Sequence, residues 1–162
     1  DDVYGCDSAW WRHRRGLPKF DGLKICWAGN GLADYPDIRR VKIAADPATT
    51  YSTRLQFEPG TIGGGGNSGF QALNLAVQFG AKRILLVGFD MTDRSGIHWY
   101  GRNHWVGASN PNHTCFARWI AAFRSAAHEL ARMNIEVVNA SPHSALECFP
   151  KRSIKDVVEA WS

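Results

Sequence analysis

Between Thr61 and Asp90 the chain reads Thr-Ile-Gly-Gly-Gly-Gly-Asn-Ser-Gly, then an amphipathic run, then Arg-Ile-Leu-Leu-Val-Gly-Phe-Asp. This order of a glycine loop, a helix and an apolar strand leaves few folds open. Consecutive glycines allow close approach to a ligand, and the helix behind them directs free N–H groups toward an anion. Asn67 and Ser68 stand where a helix N-cap belongs. The unbroken apolar run from Arg83 to Val87 suits a parallel strand covered on both faces. Gly88 and Asp90 follow at its C-terminal end, the edge where open α/β sheets bind ligands.

The rest of the chain fits this frame. Val3 to Cys6 reads as a short strand, followed by a helix or turn carrying Trp10, Trp11 and the cluster Arg12, His13, Arg14, Arg15; Gly16 and Pro18 end it. Leu23 to Ala28 reads as a second strand with a Gly29-Asn30-Gly31 turn, and Arg39 to Ala44 as an edge strand. Residues 46 to 66 read as a long loop rich in Pro, Thr, Ser and Gly. Phe70, Leu73 and Val77 recur at helical spacing over Ser68 to Phe79, with Gly80 as the stop. A second long loop spans 90 to 112, a helix about Thr114 to Met133, and a strand Ile135 to Val138. Ser141-Pro142 is expected to open a short helix, and Ser153 to cap a final one over Ile154 to Trp161, with Asp156 completing a capping-box-like start. Strand–helix alternation predicts one α/β domain over residues 1 to 162, a sandwich with a mainly parallel sheet.

Composition narrows the function class. Hydrophobic content of 44% and charged content of 21% are those of a globular chain with a core, which excludes a disordered one. No apolar run approaches membrane-span length. Cys6, Cys26, Cys115 and Cys148 are scattered without a C-x-x-C pair, which points to reduced thiols and a cytoplasmic protein. A net charge of +4 permits phosphate or nucleic-acid partners without requiring them. The chain opens on Asp rather than Met, so a fragment of a longer protein is one reading.

The loop after the apolar strand holds the polar-aromatic residues: Asp90, Asp93, His98, Trp99, Tyr100, Arg102, Asn103, His104, Trp105 and His113. Histidine suits proton transfer near neutral pH, and Tyr, Asn and Arg supply donors for a leaving phosphate. The spacing of His98 and His104 matches no standard metal-ligand motif, so no metal is assigned. Gly63 to Gly66 is neither G-x-G-x-x-G nor a P-loop and lacks the P-loop lysine. The run nonetheless places Gly64, Gly65, Gly66, Asn67, Ser68 and Gly69 as candidate nucleotide contacts. Arg12, Arg14 and Arg15 beside two tryptophans suit nucleic-acid contact, although helical spacing scatters them around a short helix.

Asn67-Ser68-Gly69, the Gly-Ala-Lys-Arg-Ile-Leu-Leu-Val-Gly-Phe-Asp segment and the later Ser-Pro-His-Ser-Ala-Leu resemble the bacterial lipooligosaccharide sialyltransferases and the 6-hydroxymethylpterin diphosphokinase-like group. The His-Trp-Tyr-Gly loop and the Asn-Ala-Ser-Pro-His-Ser-Ala-Leu-Glu-Cys-Phe-Pro ending are most similar to phage and prophage proteins of that group. The resemblance covers roughly residues 61 to 160. It implies a Rossmann-like three-layer sandwich and contacts from Ser68 and Gly69 to a cytidine nucleotide. It also implies a general base at His113, with His104 as second choice. Thr92, His98 and Tyr100 fall near the tyrosines that hold the leaving phosphate. The group's first strand and its Gly-x-Gly-Pro-Ser turn have no counterpart here, so the usual first βα unit is expected to be lacking.

The expected function is a nucleotide-sugar-dependent glycosyltransferase-like domain of phage or prophage type. It would need no cofactor beyond the donor, with Asp90 fixing the loop or contacting the ribose and a glycan or DNA as acceptor. One alternative is pyrophosphoryl transfer with Mg²⁺ held by Asp90 and Asp93. Another is a non-catalytic nucleic-acid-binding or phage assembly protein.

Overall fold

The computed structural model describes residues 1–27, 31–46, 48, 52–94, 96–98 and 100–162. The chain runs β1 (Asp2–Gly5), α1 (Ser8–His13), β2 (Leu23–Trp27), β3 (Ile38–Ile43), β4 (Thr61–Ile62), α2 (Ser68–Gln78), β5 (Arg83–Leu86), α3 (His113–Arg132), β6 (Glu136–Asn139) and α4 (Ile154–Trp161). Every strand pair is parallel. The first four strands form one sheet in the order β1-β2-β3-β4, and β5 pairs with β6 in a second. This is an α/β architecture, compatible with a Rossmann-like fold.

Helix α2 joins the two sheets. It packs against β1, β4 and α3, because its apolar residues point two ways. Phe70, Leu73 and Val77 enter a core shared with Leu86, Phe123, Val137 and Leu146. Leu75 turns instead toward Ile25, Val41 and Ile62 of the four-stranded sheet. Phe123 of α3 meets Phe70 edge-on at 5.5 Å and Phe89, just beyond β5, at 5.7 Å. Burial of each such ring contributes about 1.5–3 kcal/mol, and together they hold the start of α2, the end of β5 and the middle of α3 in one frame.

Four expectations need correction. Strand β3 is not an edge strand, since β4 pairs on its far side through Lys42↔Thr61 and Ile43↔Ile62. For the same reason residues 46–66 are not all loop; a two-residue strand is too short to carry a periodic signal. Strand β5 is not covered on both faces: Arg83 is exposed, Ile84 and Leu85 are half-buried, and Val87 just after it is 57% exposed. Among the described residues its only strand partner is β6, so no strand pairs with its other edge there. Finally, Pro142 and His143 form a turn, not a helix, because the Ser141 and Ser144 hydroxyls bond to Phe89 across the fold. The expected Gly29-Asn30 turn lies outside the described residues.

The helix caps follow the sequence. Asn67 Oδ1 accepts the Phe70 N–H at 2.9 Å and Ser153 Oγ accepts the Asp156 N–H at 3.1 Å. All four cysteines are free thiols.

Candidate functional site

The site is assembled where the end of β1 meets the beginning of α2. Ser68 Oγ accepts the Cys6 N–H at 3.3 Å and donates to Cys6 Sγ at 3.0 Å. One turn on, the Tyr4 hydroxyl donates to Gln71 Oε1 at 2.8 Å, and Gln71 Nε2 donates to the Gly64 carbonyl at 2.8 Å. A single relay of side chains therefore ties β1, α2 and the glycine run together.

That run is largely packed inward. Gly63, Gly64 and Gly65 are buried. The Gly64 and Gly65 N–H groups both donate to the Ser52 carbonyl, at 2.8 and 3.1 Å, and the Gly63 N–H donates to Asn74 Oδ1 at 2.8 Å. Donors already satisfied by the protein are not free for an anion. Gly66 is the residue of the run that reaches open space. Its φ of +80° and the closeness of Arg118 and Trp119 to any added Cβ make glycine necessary there.

Three cavities open along the C-terminal ends of the strands, the edge at which α/β sheets bind ligands. The first, about 450 Å³, is bounded by Gly66, Asn67 and Ser68 of the α2 entry, by Cys6 and Asp7 after β1, and by Arg118 of α3. Its walls are aromatic: Tyr4, Trp10, His98, Tyr100, Trp105 and Trp119. The second, about 350 Å³, continues from Cys6, Asp7 and Gly66 past the ends of β2 and β3 at Trp27 and Ile43. The third, about 670 Å³, lies beyond the end of β5, with Gly69, Gly88 and Asp90 in its lining.

The loop between β5 and α3 closes over the first cavity and is held by its own amides. Asn103 N–H donates to Asn110 Oδ1 at 2.9 Å while Asn110 Nδ2 donates to the Asn103 carbonyl at 3.0 Å. Asn103 Nδ2 donates to the Ser109 carbonyl at 2.9 Å, and its Oδ1 accepts the Tyr100 hydroxyl at 3.1 Å. The carbonyl of Ser109 can only accept, which sets the amide's orientation. Nδ2 then faces His98 Nε2 at 3.4 Å, so that nitrogen carries its lone pair. His98 also stacks on Tyr100 with ring centroids 5.0 Å apart. Burial lowers the His98 pKa from its ordinary value, so the ring is neutral in this wall at pH 7. At its far end the loop reaches α1, where Trp105 stacks on His13 at 4.7 Å. The indole N–H groups of Trp105 and Trp119 are buried without a hydrogen-bond partner among the described residues.

Removing the central amide should loosen this wall. Asn103→Ala is expected to raise amide exchange across the described residues from 100 to 111 by about tenfold, the loss of roughly one net hydrogen bond's worth of stability. Unchanged protection there would show that the loop is held from outside.

The predicted site residues divide accordingly. Gly66, Asn67, Ser68, His98 and Tyr100 line the first cavity, whereas Gly69 and Asp90 line the third. Gly64 and Gly65 line none of the three. His104 is exposed, with Nδ1 3.3 Å from the Arg102 carbonyl. The His113 side chain is 87% exposed and lies 3.6 Å from Asp93 at the first turn of α3. Neither histidine is among the described residues lining these three cavities. Trp99 lies outside the described residues.

Sequence reasoning missed Tyr4, Cys6, Asp7 and Trp10 on one side and Arg118 and Trp119 on the other. The seven tryptophans were the available signal, since several sit beside polar residues. The thiols of Cys6 and Cys26 and the phenol of Tyr4 are held protonated. Burial pushes Cys26 up to about 11 and raises Cys6, and burial with the nearby Cys6 and Cys26 raises Tyr4. Folding therefore favours the protonated forms, so stability is full below the unfolded-thiol pKa of about 8.5 and falls as pH rises toward 11. Denaturant midpoints measured from pH 8 to 11 should decline across that window, and Cys26→Ser should flatten the decline.

No protein-family model, curated protein or solved structure matches the chain.

Proposed function

We propose that the first cavity binds the nucleotide of a nucleotide-sugar, and that the chain is a glycosyltransferase-like domain of phage or prophage type acting on a hydroxyl acceptor. The observation that carries this reading is the make-up of that cavity. Aromatic faces suited to a base or sugar ring surround a helix entry at Gly66–Ser68 and the guanidinium of Arg118. The second cavity prolongs it along the strand ends, which gives room for an elongated ligand. The parallel architecture is compatible with the Rossmann-like three-layer sandwich of the sialyltransferase group that the sequence resembles.

In the reaction the acceptor oxygen bonds to the anomeric carbon as that carbon's bond to the phosphate oxygen breaks. The bonding pair leaves with the nucleotide, stabilised by the Arg118 charge. The acceptor proton passes to a group on the cavity walls. His113 and His104, favoured by the resemblance, lie outside those walls, so a direct role needs the loop to move for His104 and the start of α3 to move for His113. The Mg²⁺-dependent alternative needs Asp90 and Asp93 around one ion, whereas Asp93 faces His113.

Calorimetric titration with CMP, UDP, GDP, ATP and a short DNA duplex, with and without Mg²⁺, tests the reading. A metal-independent CMP or UDP signal is expected. Arg118→Glu, a change on an exposed helix position, should weaken that signal at least about tenfold by reversing a charge beside the phosphate, with an unchanged melting temperature. A signal seen only with ATP and Mg²⁺ would move the assignment to pyrophosphoryl transfer. Silence with every nucleotide together with steeply salt-dependent DNA binding would favour the nucleic-acid-binding reading.

A further inference from the structure

The first and third cavities share a wall. Asn67, His98, Pro111 and Trp119 line both, so a ligand in one lies against the same side chains as a ligand in the other. The two differ in charge. Arg118 lines the first cavity and balances Asp7 there, whereas no lysine or arginine is among the described residues lining the third, where Asp90 contributes a carboxylate. A phosphate-bearing ligand is disfavoured in the third on Coulomb grounds alone.

The third cavity also has the lining of a subsite for an uncharged ring. Phe89, Ile97, Phe116 and Trp119 give it apolar and aromatic surface, and Asp90, Thr92, His98 and His143 give it scattered hydrogen-bonding groups. That mixture suits a sugar ring, which has apolar faces and hydroxyl edges. Asp90 is well prepared for such a role. Its carbonyl accepts the Ala145 N–H at 2.8 Å, and the adjacent Phe89 N–H donates to Ser141 Oγ at 2.8 Å while its carbonyl accepts from Ser144 Oγ. The backbone is thus pinned on both sides of the Cα, yet the carboxylate has no hydrogen bond or ion pair among the described residues. A rigidly mounted carboxylate open to a cavity is preorganised to accept hydrogen bonds from hydroxyl groups.

We propose that the third cavity is the acceptor subsite, binding a neutral, polyhydroxylated ring through Asp90, next to the nucleotide site and separate from it. This rests on the transferase reading for the word acceptor; the ligand class rests on the cavity itself. The test uses methyl β-D-galactopyranoside as a neutral probe, followed by saturation-transfer NMR, with CMP or UDP titrated by calorimetry. The pyranoside is expected to give a signal that survives saturating nucleotide. Thr92→Trp and His143→Trp, the latter at an exposed turn, should each cut the pyranoside signal at least about fivefold by filling the chamber. Asp90→Ala should do the same by removing the acceptor of its hydroxyls. All three should leave nucleotide affinity within about twofold, because none of these residues lines the first cavity or belongs to the wall the two share. Displacement of the pyranoside by nucleotide would overturn the proposal, as would a pyranoside signal indifferent to all three variants or absent from the unaltered protein. Nucleotide silence with pyranoside binding still lost in the variants would sink the transferase reading and uphold the chamber's ligand class.

Discussion

Gly65→Ala is expected to destabilise the protein by about 3 kcal/mol or more, although only a methyl group is added. Gly65 holds φ at +54°, and the new Cβ would be driven into the Phe70 ring, which is itself 0% exposed. A strained left-handed residue costs roughly 1–3 kcal/mol and overpacking a tight core a similar amount. Against a typical stability of about 5–15 kcal/mol that is a large fraction. Gly60→Ala is the control. Gly60 has φ of +85° but nothing within 4 Å of an added Cβ, so it should lose only the strain, about 1 kcal/mol. Urea denaturation of the pair separates the two effects. Equal losses would mean that the glycine run is conformationally demanding but not packed.

Asn74→Leu should cost a comparable amount, about 3 kcal/mol, without any change of volume large enough to explain it. Asn74 is 0% exposed in the middle of α2. Its Oδ1 accepts the Gly63 and Gln56 N–H groups at 2.8 and 2.9 Å, and its Nδ2 donates to the Gln56 carbonyl at 2.8 Å. Leucine would leave the buried Gly63 N–H and the part-buried Gln56 N–H without a partner, at roughly 1–3 kcal/mol for a fully buried group. The Gln56 carbonyl suffers less, since Gln78 Nε2 also donates to it at 3.0 Å. Nucleotide affinity should fall along with stability, because the pinned segment carries the glycine run that positions Gly66. Hydrogen exchange would show the cause directly: protection lost first at Gly63, Gly64 and Gly65. If those amides stayed protected while the protein lost stability elsewhere, Asn74 would not be their anchor.

These two residues mark the limit of what could be read from the chain. The period of Phe70, Leu73 and Val77 gave α2, its asparagine cap and its glycine stop. The same pattern made Asn74 look like a polar residue on a helix, with no sign that three backbone groups from another segment converge on it. The glycines were legible as a backbone needing special conformations, and Gly65 and Gly66 do hold positive φ. Their sequence resembles an open phosphate cradle, but the Ser52 carbonyl occupies the Gly64 and Gly65 donors. A donor's partner is not encoded in the local pattern when it comes from a segment a dozen residues away.

The candidate site divides in the same way. Ser68, His98 and Tyr100 could be selected locally, from a helix entry and a polar-aromatic loop, and all three line the first cavity. Tyr4, Trp10 and Arg118 could not, because they sit on elements whose local pattern only says strand or helix. His113 and His104 were attractive by chemistry and by resemblance, yet α3 begins at His113 with its ring turned to solvent.

The sequence by itself determined the longer helices and strands except the two-residue β4, the caps of α2 and α4, the mainly parallel α/β class and the loop that carries polar chemistry. Each is a short-range consequence of side-chain period, capping groups and glycine conformations. Only the tertiary structure decided which strands pair, that β3 is interior, that β5 pairs only with β6 among the described residues, and that the N-terminal tryptophan helix shares a cavity with α3. It also decided that Asp90 and Arg118 face different chambers. Those outcomes depend on where distant segments meet, and charge or hydrogen-bonding capacity acquires a partner only once packing has brought it there.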